Sequence, residues 1–456
     1  MTRLRLAAAV GLALSLSPGA ALALQPLDDF LASARRANLD RKEAELTHVQ
    51  RAHEADQAWR RLLPAFTGKG QYTFNQYEAA LARTGGSTIT ITPQHQLDAF
   101  LTVDVPLVDL GAWAKIGAGE ALSDAAGARL RATELDVERT VARQYFQVVA
   151  SRAVLAASQR TLETSRQNLA IAEERRAAGF ATDLDVARGA ADVERARQTV
   201  ASADYLVVTS ERALRSSSGV SPEPGGGGPE DDLHEEGPLA PFLAIRTPSR
   251  EASDLEAKAQ DRLTSQTRAQ LLPALSASAT QRFTNAVGFA DRAAIFTANV
   301  ALTWRLDASS LSATDAQAAQ AEVTDVRRRR TSQAHDDTVH DAWNLVRAQI
   351  ASLRAARAEA TSAALAARLA RDRYAAGTAL QIDALEAERR SFQAEVARIQ
   401  ADGDLRVARA SRNPEEIDRH ASSTWPAARC ARATFPRMRA SNAGFFSLRA
   451  RSSARC

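Results

Sequence analysis

Two stretches of this chain repeat each other at a fixed distance, and each repeat contains a change of period that few folds accommodate. Asp109 in "PLVDLGAWA" aligns with Asp307 in "WRLDASSLS", and Gly179 in "ERRAAGFATDLDV" aligns with Gly377 in "DRYAAGTALQIDA"; both pairs lie 198 residues apart. Upstream, the twin "LLPA" segments at Leu62 and Leu271 put Pro64 and Pro273 209 residues apart, so the first copy carries 11 extra residues between its strand segments.

Within each copy the side chains first alternate with a period of two. Leu97, Ala99, Leu101, Val103, Val105 and Leu107 share one face, opposite Asp98, Thr102 and Asp104. In the second copy Ala294, Phe296, Ala298, Val300, Leu302, Trp304 and Leu306 oppose Thr297, Asn299, Thr303 and Arg305. Weaker partner strands are expected near 65–77 and 274–284. Stripes of this length fit strands tilted across a bilayer, with lipid on one face and water on the other. They fit a half-buried soluble sheet equally well.

The period then lengthens to seven. Val141, Val148, Leu155, Leu162 and Leu169 recur at that spacing, as do Val339, Val346, Leu353, Ala360 and Ala367, and Val186, Val193, Val200, Val207 and Leu214. With Arg, Glu and Gln between them, these are coiled-coil seams. Asp109 to Gly179 spans 70 residues, or about 105 Å of helix. Such a rod must run far from the strands, reverse at the glycine and return. Gly179 and Gly377 suit the left-handed residue that ends a helix, and Thr182 or Asp183 can cap the first returning helix; the second turn lacks an equally good cap. "LDDFLASARRANLDRKEAELTHVQRAHEADQAWRR" and "SREASDLEAKAQDRLTSQTRAQ" each add a helix ahead of a strand pair.

The expected organisation is a secretory signal over 1–23, a first helix-strand-helix repeat over 24–216, a Gly/Pro-rich linker over 217–248, a second repeat over 249–412 and an irregular Arg-rich tail over 413–456. The signal rests on Arg3 and Arg5, an apolar run, and Ala21 and Ala23 before the cleavage point. The tail has no periodicity and reads as disordered or as translated out of frame. Its Cys430 and the terminal Cys456 are the only cysteines, so disulfides do not hold the exported body. No later segment reaches the ~20 apolar residues of a membrane-spanning helix. An exported chain of this kind is either soluble or crosses an outer membrane as strands.

Other function classes find little support. Acids and bases nearly balance at a net charge of +4, which excludes a broad basic face for nucleic acid. His48 with His53, and His335 with His340, miss the i,i+4 spacing of a helical metal site, and the glycine run at Gly225 lacks the Lys-Ser or Lys-Thr of a phosphate loop. No catalytic, metal or cofactor constellation emerges. Arg327 to Arg330 reads as a solvated helix stripe, or as a contact for lipid phosphates if it lies close to the strands.

The doubled order of "LLPA", "VPLVDLGAW" with Asp109, "ARQYF" at Ala142 to Phe146, and the two "AAG" turns resembles the TolC family of outer-membrane efflux and secretion channels, over roughly residues 25–412. The resemblance implies a mostly α fold with a small β part: a long helical coiled-coil tunnel in the periplasm joined to a trimeric, twelve-stranded transmembrane β-barrel, with two internal repeats per chain. Leu97, Leu101, Val103, Val105, Phe296, Val300, Leu302 and Trp304 would then face lipid. Asp383 and Glu386 fall where the family's inner helix carries an acidic pair at the periplasmic constriction; they read equally well as first-turn acids favourable to a helix dipole. Tyr374 matches a residue that ties this helix to its neighbour, whereas the Arg expected after the glycine is replaced by Ala379. The turns at Gly179 and Gly377 would dock a periplasmic adaptor, itself joined to an inner-membrane transporter. The implied function is passive conduction of small molecules to the exterior, without enzymatic activity or cofactor. The alternatives are the outer duct of a type I protein secretion system and a soluble periplasmic coiled-coil scaffold.

Overall fold

The computed structural model describes residues 23–82, 88–225, 233–235, 237–290, 292–304 and 308–412. The signal before Ala23, most of the glycine run after Gly225, Arg305 to Asp307, and the tail beyond Arg412 lie outside the described residues. Leu306, expected on the second stripe, and Asp307, the counterpart of Asp109, are among them.

The described residues open with a two-residue strand, β1 (Ala23–Leu24), followed by helices α1 (Leu27–Ala37) and α2 (Leu39–Arg60). The single N-terminal helix expected from the sequence is divided at Asn38. There the backbone is extended, and the Asn38 side chain accepts from Asp40 N at 2.9 Å and Arg41 N at 3.2 Å, capping α2. Its amide also donates to Ser217 O at 3.0 Å, which ties the break to a later helix.

Strands β2 (Ala65–Phe74) and β5 (His95–Val108) form the first antiparallel pair, and a small ribbon, β3 (Ala79–Ala82) with β4 (Thr88–Thr92), fills the first copy's longer connection. Helix α3 (Leu110–Ala177) follows, capped by Asp109, whose Oδ1 accepts from Ala112 N at 2.8 Å. It reverses into α4 (Asp183–Ser218). The link to the second copy contains β6 (Pro224–Gly225), paired with β1, and the short α5 (Ala240–Leu243). The second copy then repeats the plan with α6 (Pro248–Ala269), β7 (Ala274–Thr284), β8 (Ala294–Thr303), α7 (Ala308–Ala375) and α8 (Gln381–Arg412). At 68 residues each, α3 and α7 are rods of about 100 Å.

The four long strands form one antiparallel sheet in the order β2-β5-β7-β8. Sequence alternation places both copies' stripes in this sheet, with β2 and β8 left as open edges. The helices pack in two hairpins, α3 with α4 and α7 with α8, and α3 also touches α2, α6 and α8. The seven-residue seams are buried in part: Val346, Leu353, Ala360 and Ala367 of α7 are buried, whereas Leu155, Leu162 and Leu169 of α3 are only half-buried. Val141 and Val148 are fully buried with Phe30 and Leu214 in one cluster, and Val346 and Leu353 with Leu405 in another. Each such side chain contributes roughly 1.5–3 kcal/mol. A second row on α3, with Ser151, Ser158 and Ser165 buried at the same spacing, is small and lets α4 approach closely. Ser151 Oγ lies 2.8 Å from Ser210 Oγ across that seam.

The arginine run sits well away from the sheet. Arg327 lies about 30 Å of helix beyond Ala308, and Arg328 pairs with Asp325 at 2.8 Å and Asp254 at 3.7 Å. The run is therefore part of a helix surface, out of reach of any lipid around the strands.

Candidate conduction pathway and periplasmic gate

Cross-strand partners in an antiparallel sheet share a face, so the register sorts the side chains. One face carries a row of Thr67, Thr102, Thr280 and Thr297 through all four strands, with Thr102 Oγ1 3.2 Å from Thr280 Oγ1. The next row, away from the helices, is Lys69, Phe100, Arg282 and Ile295; the row on the helix side is Ala65, Asp104, Ser278 and Asn299. Asp98, 7% exposed, accepts from Arg282 Nε at 2.9 Å and from Gln96 Nε2 at 2.7 Å. The Asp, Lys and Arg side chains of these strands are Lys69, Asp98, Asp104 and Arg282, all on this polar face.

The opposite face is apolar from edge to edge. It carries Phe66 and Tyr72 from β2; Leu97, Leu101, Val103 and Val105 from β5; Phe283 from β7; and Phe296, Val300 and Leu302 from β8. Leu101 is 59%, Phe296 67% and Leu302 69% exposed, whereas Val103 and Val105, in a central strand, are half-buried by their neighbours. Gln281 is an exception, and His95 sits at the outer rim against Tyr72 and Phe74. Trp304 lies one residue past the end of β8, where its indole Nε1 donates to Leu271 O at 3.1 Å. Exposed Trp59 and Trp113 stand at the same end of the sheet, and exposed Tyr72, Phe74 and Tyr77 at the other. Aromatic residues at both ends of an apolar band are the pattern of a strand sheet held at two water–lipid boundaries.

At the far end of the helices both turns are built alike. Gly179 and Gly377 each have φ +78°, and Phe180 N donates to Arg175 O at 2.8 Å as Thr378 N donates to Arg373 O at 2.9 Å. These are the closing bonds of a helix that ends on a left-handed residue. The helices that follow differ. Thr182, rather than Asp183, caps α4 in a reciprocal box with Asp185, and the carboxyl of Asp185 is held below its ordinary value by its bonds to the Thr182 backbone and hydroxyl. The corresponding residue before α8 is Leu380, whose side chain has no oxygen to accept from the first turn; only its backbone carbonyl does so, from Asp383 N at 3.2 Å.

Close to the turns, polar contacts join the α7–α8 hairpin to α3 and α4. The Arg175 guanidinium stacks 4.8 Å over the Tyr374 ring and also donates to the Tyr374 carbonyl. Gln381 Nε2 donates to Asp185 O at 2.9 Å. Glu388 accepts from Asn168 Nδ2 at 2.6 Å and lies 3.3 Å from Arg371 Nε, and burial pushes its carboxyl above its ordinary value. The Tyr374 hydroxyl and Gln381 Oε1 are buried without partners. Asp383 and Glu386 are exposed, and Glu386 reaches Arg390 at 3.4 Å. The family resemblance singles out Tyr374, Asp383 and Glu386 and misses Arg175, Asn168, Gln381 and Glu388. Gln381, Ala384 and Glu388 do stand at i, i+3 and i+7, so a polar residue in a seam register was the available signal.

The sequence matches the model of the family described as "Outer membrane efflux protein" over residues 30–220 and 244–411. No curated protein sequence matches significantly. Among solved structures, a membrane protein from Pseudomonas aeruginosa is similar at 20% identity and TM-score 0.69, covering 92% of this chain and 99% of that one. The CmeC outer membrane channel of Campylobacter jejuni gives 16% identity and TM-score 0.69 over 92% of this chain and 98% of its own. The outer membrane protein VceC of Vibrio cholerae gives 16% and 0.66, over 87% and 95%. A four-stranded sheet with one apolar and one polar face, two matched 68-residue helices and a family match across both repeats lead to one conclusion: this chain belongs to the outer membrane efflux protein family, whose members are channels of the outer membrane rather than enzymes.

Proposed function

We propose that the chain is one subunit of a homotrimeric passive conduit that carries small molecules from a periplasmic adaptor and inner-membrane transporter to the exterior. The observation that carries this reading is the sheet with two open edges. In hydrocarbon, the unpaired N–H and C=O groups of β2 and β8 would each cost several kcal/mol. Pairing β8 of one copy with β2 of the next removes every edge, and three copies make a closed wall of twelve strands. The polar face then lines the lumen, and Leu97, Leu101, Val103, Val105, Phe296, Val300, Leu302 and Trp304 meet lipid.

The same closure sets three tips around one axis. Asp383 and Glu386, exposed on α8, would give six carboxylates at the constriction, and the Tyr374–Arg175 stack ties the α7–α8 hairpin, through the end of α7, to the α3–α4 hairpin. Phe180 and Leu380 are 78% and 69% exposed beside Gly179 and Gly377. Apolar side chains left in water at the tips supply a docking face for an adaptor, which would bring the energy that opens the gate.

Purified full-length protein, reconstituted in planar bilayers, tests the reading. It should require detergent, run as a heat-sensitive trimer on a gel and give discrete conductance steps. A monomer that stays in solution without detergent would instead make the chain a periplasmic scaffold and end the proposal.

A further inference from the structure

The charges on the polar face of the sheet are unequally satisfied. Asp98 and Arg282 neutralise each other at 2.8 Å. Lys69 has no carboxylate partner among the described residues; its ammonium lies 5.8 Å from the centre of the Phe100 ring, which Arg282 approaches at 5.6 Å on its own account. Asp104 has no ion pair there either. It stands four residues nearer to the helices than Phe100, about 14 Å along β5. The threonine row separates the two charges.

Lys69 also lies on an edge strand, so a neighbouring copy could in principle supply its counter-ion. Strand β8, "AIFTANVALT", contains no ionisable side chain. Whatever the register of the seam between copies, the strand that closes against β2 brings no carboxylate to Lys69.

We infer that Lys69, backed by Phe100, forms a cationic collar towards the outer mouth of the barrel and is the residue that selects anionic solutes there, while Asp104 forms a collar of opposite sign deeper in. The inference rests on the trimeric-conduit reading. Low-dielectric walls focus the field of a ring of like charges in a narrow lumen, so the effect exceeds that of three lysines on an open surface. It also fades with salt, because screening at about 0.1 M already acts over ~10 Å. A departing solute meets Asp104 first and Lys69 last, so anions are held at the exit and cations before it.

The test uses the full-length trimer in planar bilayers, added to one chamber. The long helical body cannot cross, so the outer mouth faces the other chamber. A naphthalene trisulfonate placed there probes the mouth without passing the periplasmic tip. Wild-type current should be blocked when the potential drives the anion inwards. Lys69→Gln should raise the half-blocking concentration about fivefold at ~0.1 M salt, and Lys69→Glu should abolish the block. Asp104→Asn should leave the block in place or tighten it. Heat-sensitive trimers on a gel verify that each variant is assembled. Equal block of wild type and Lys69→Glu overturns the collar while leaving the conduit intact; a wild-type protein that never conducts overturns both.

Discussion

Glu388 shows how much a single side chain can weigh in a thin molecule. It is a carboxylate at the junction of α3, α7 and α8, facing Arg371 and, farther off, Asp192, and burial pushes its pKa above the ordinary value of 4.5. The folded state therefore binds this proton more tightly than the unfolded chain. It follows that the stability owed to Glu388 is present below about 4.5 and falls as pH rises through the folded value. Glu388→Gln should flatten that dependence and be no less stable than wild type near neutral pH, as thermal unfolding at several pH values would show. Glu388→Leu should cost ~1–3 kcal/mol by leaving the Asn168 amide unpaired; equal losses for Gln and Leu would show instead that the ionised form is the stabilising one. Arg175→Ala removes both the stack on Tyr374 and the bond to its carbonyl, and should lengthen channel openings in bilayer recordings. None of these partners stands out by sequence spacing, because Arg175 and Tyr374 are 199 residues apart and meet only when the hairpins pack.

Among the elements, the two hairpin turns have the same backbone and different anchors. Thr182→Ala breaks the box at the start of α4 and should cost about 1 kcal/mol. Asp185 adds a contribution present above its ordinary value of 3.8 and lost as pH falls through its lower folded value. Leu380→Thr would give α8 the cap it lacks, and should stiffen that turn, slowing amide exchange over Gln381–Glu386. Faster exchange there would count against it. The elements themselves were largely legible, since a switch from period two to period seven reports strand and helix without ambiguity and matched glycines mark the turns. The break at Asn38 escaped, because one cap inside an otherwise helical run leaves the composition unchanged. So did the ribbon of β3 and β4, which has no long stripe, and the serine row of α3, which carries no apolar signal although it is as buried as the valines.

For the molecule as a whole, periodicity predicts four strands and four rods but not their closure, because the faces that would meet another copy in the proposed trimer read as ordinary exposed residues within one chain. Tyr205, Leu206 and Val208 on α4, and Leu365 and Leu369 on α7, are left in water by the single subunit. Leu101→Asp with Val103→Asp places two charges on the apolar band at a depth-dependent cost of up to a few kcal/mol each. The expected result is loss of the trimer band and of conductance; retention of both would mean that this face never meets lipid. The open edges of β2 and β8 have a further consequence, for inheritance rather than for mechanics. In the proposed ring of three, a chain whose flank cannot mate spoils every assembly it joins, so equal expression beside the normal form should leave only about one assembly in eight sound. A defective allele at this seam will behave as a dominant one.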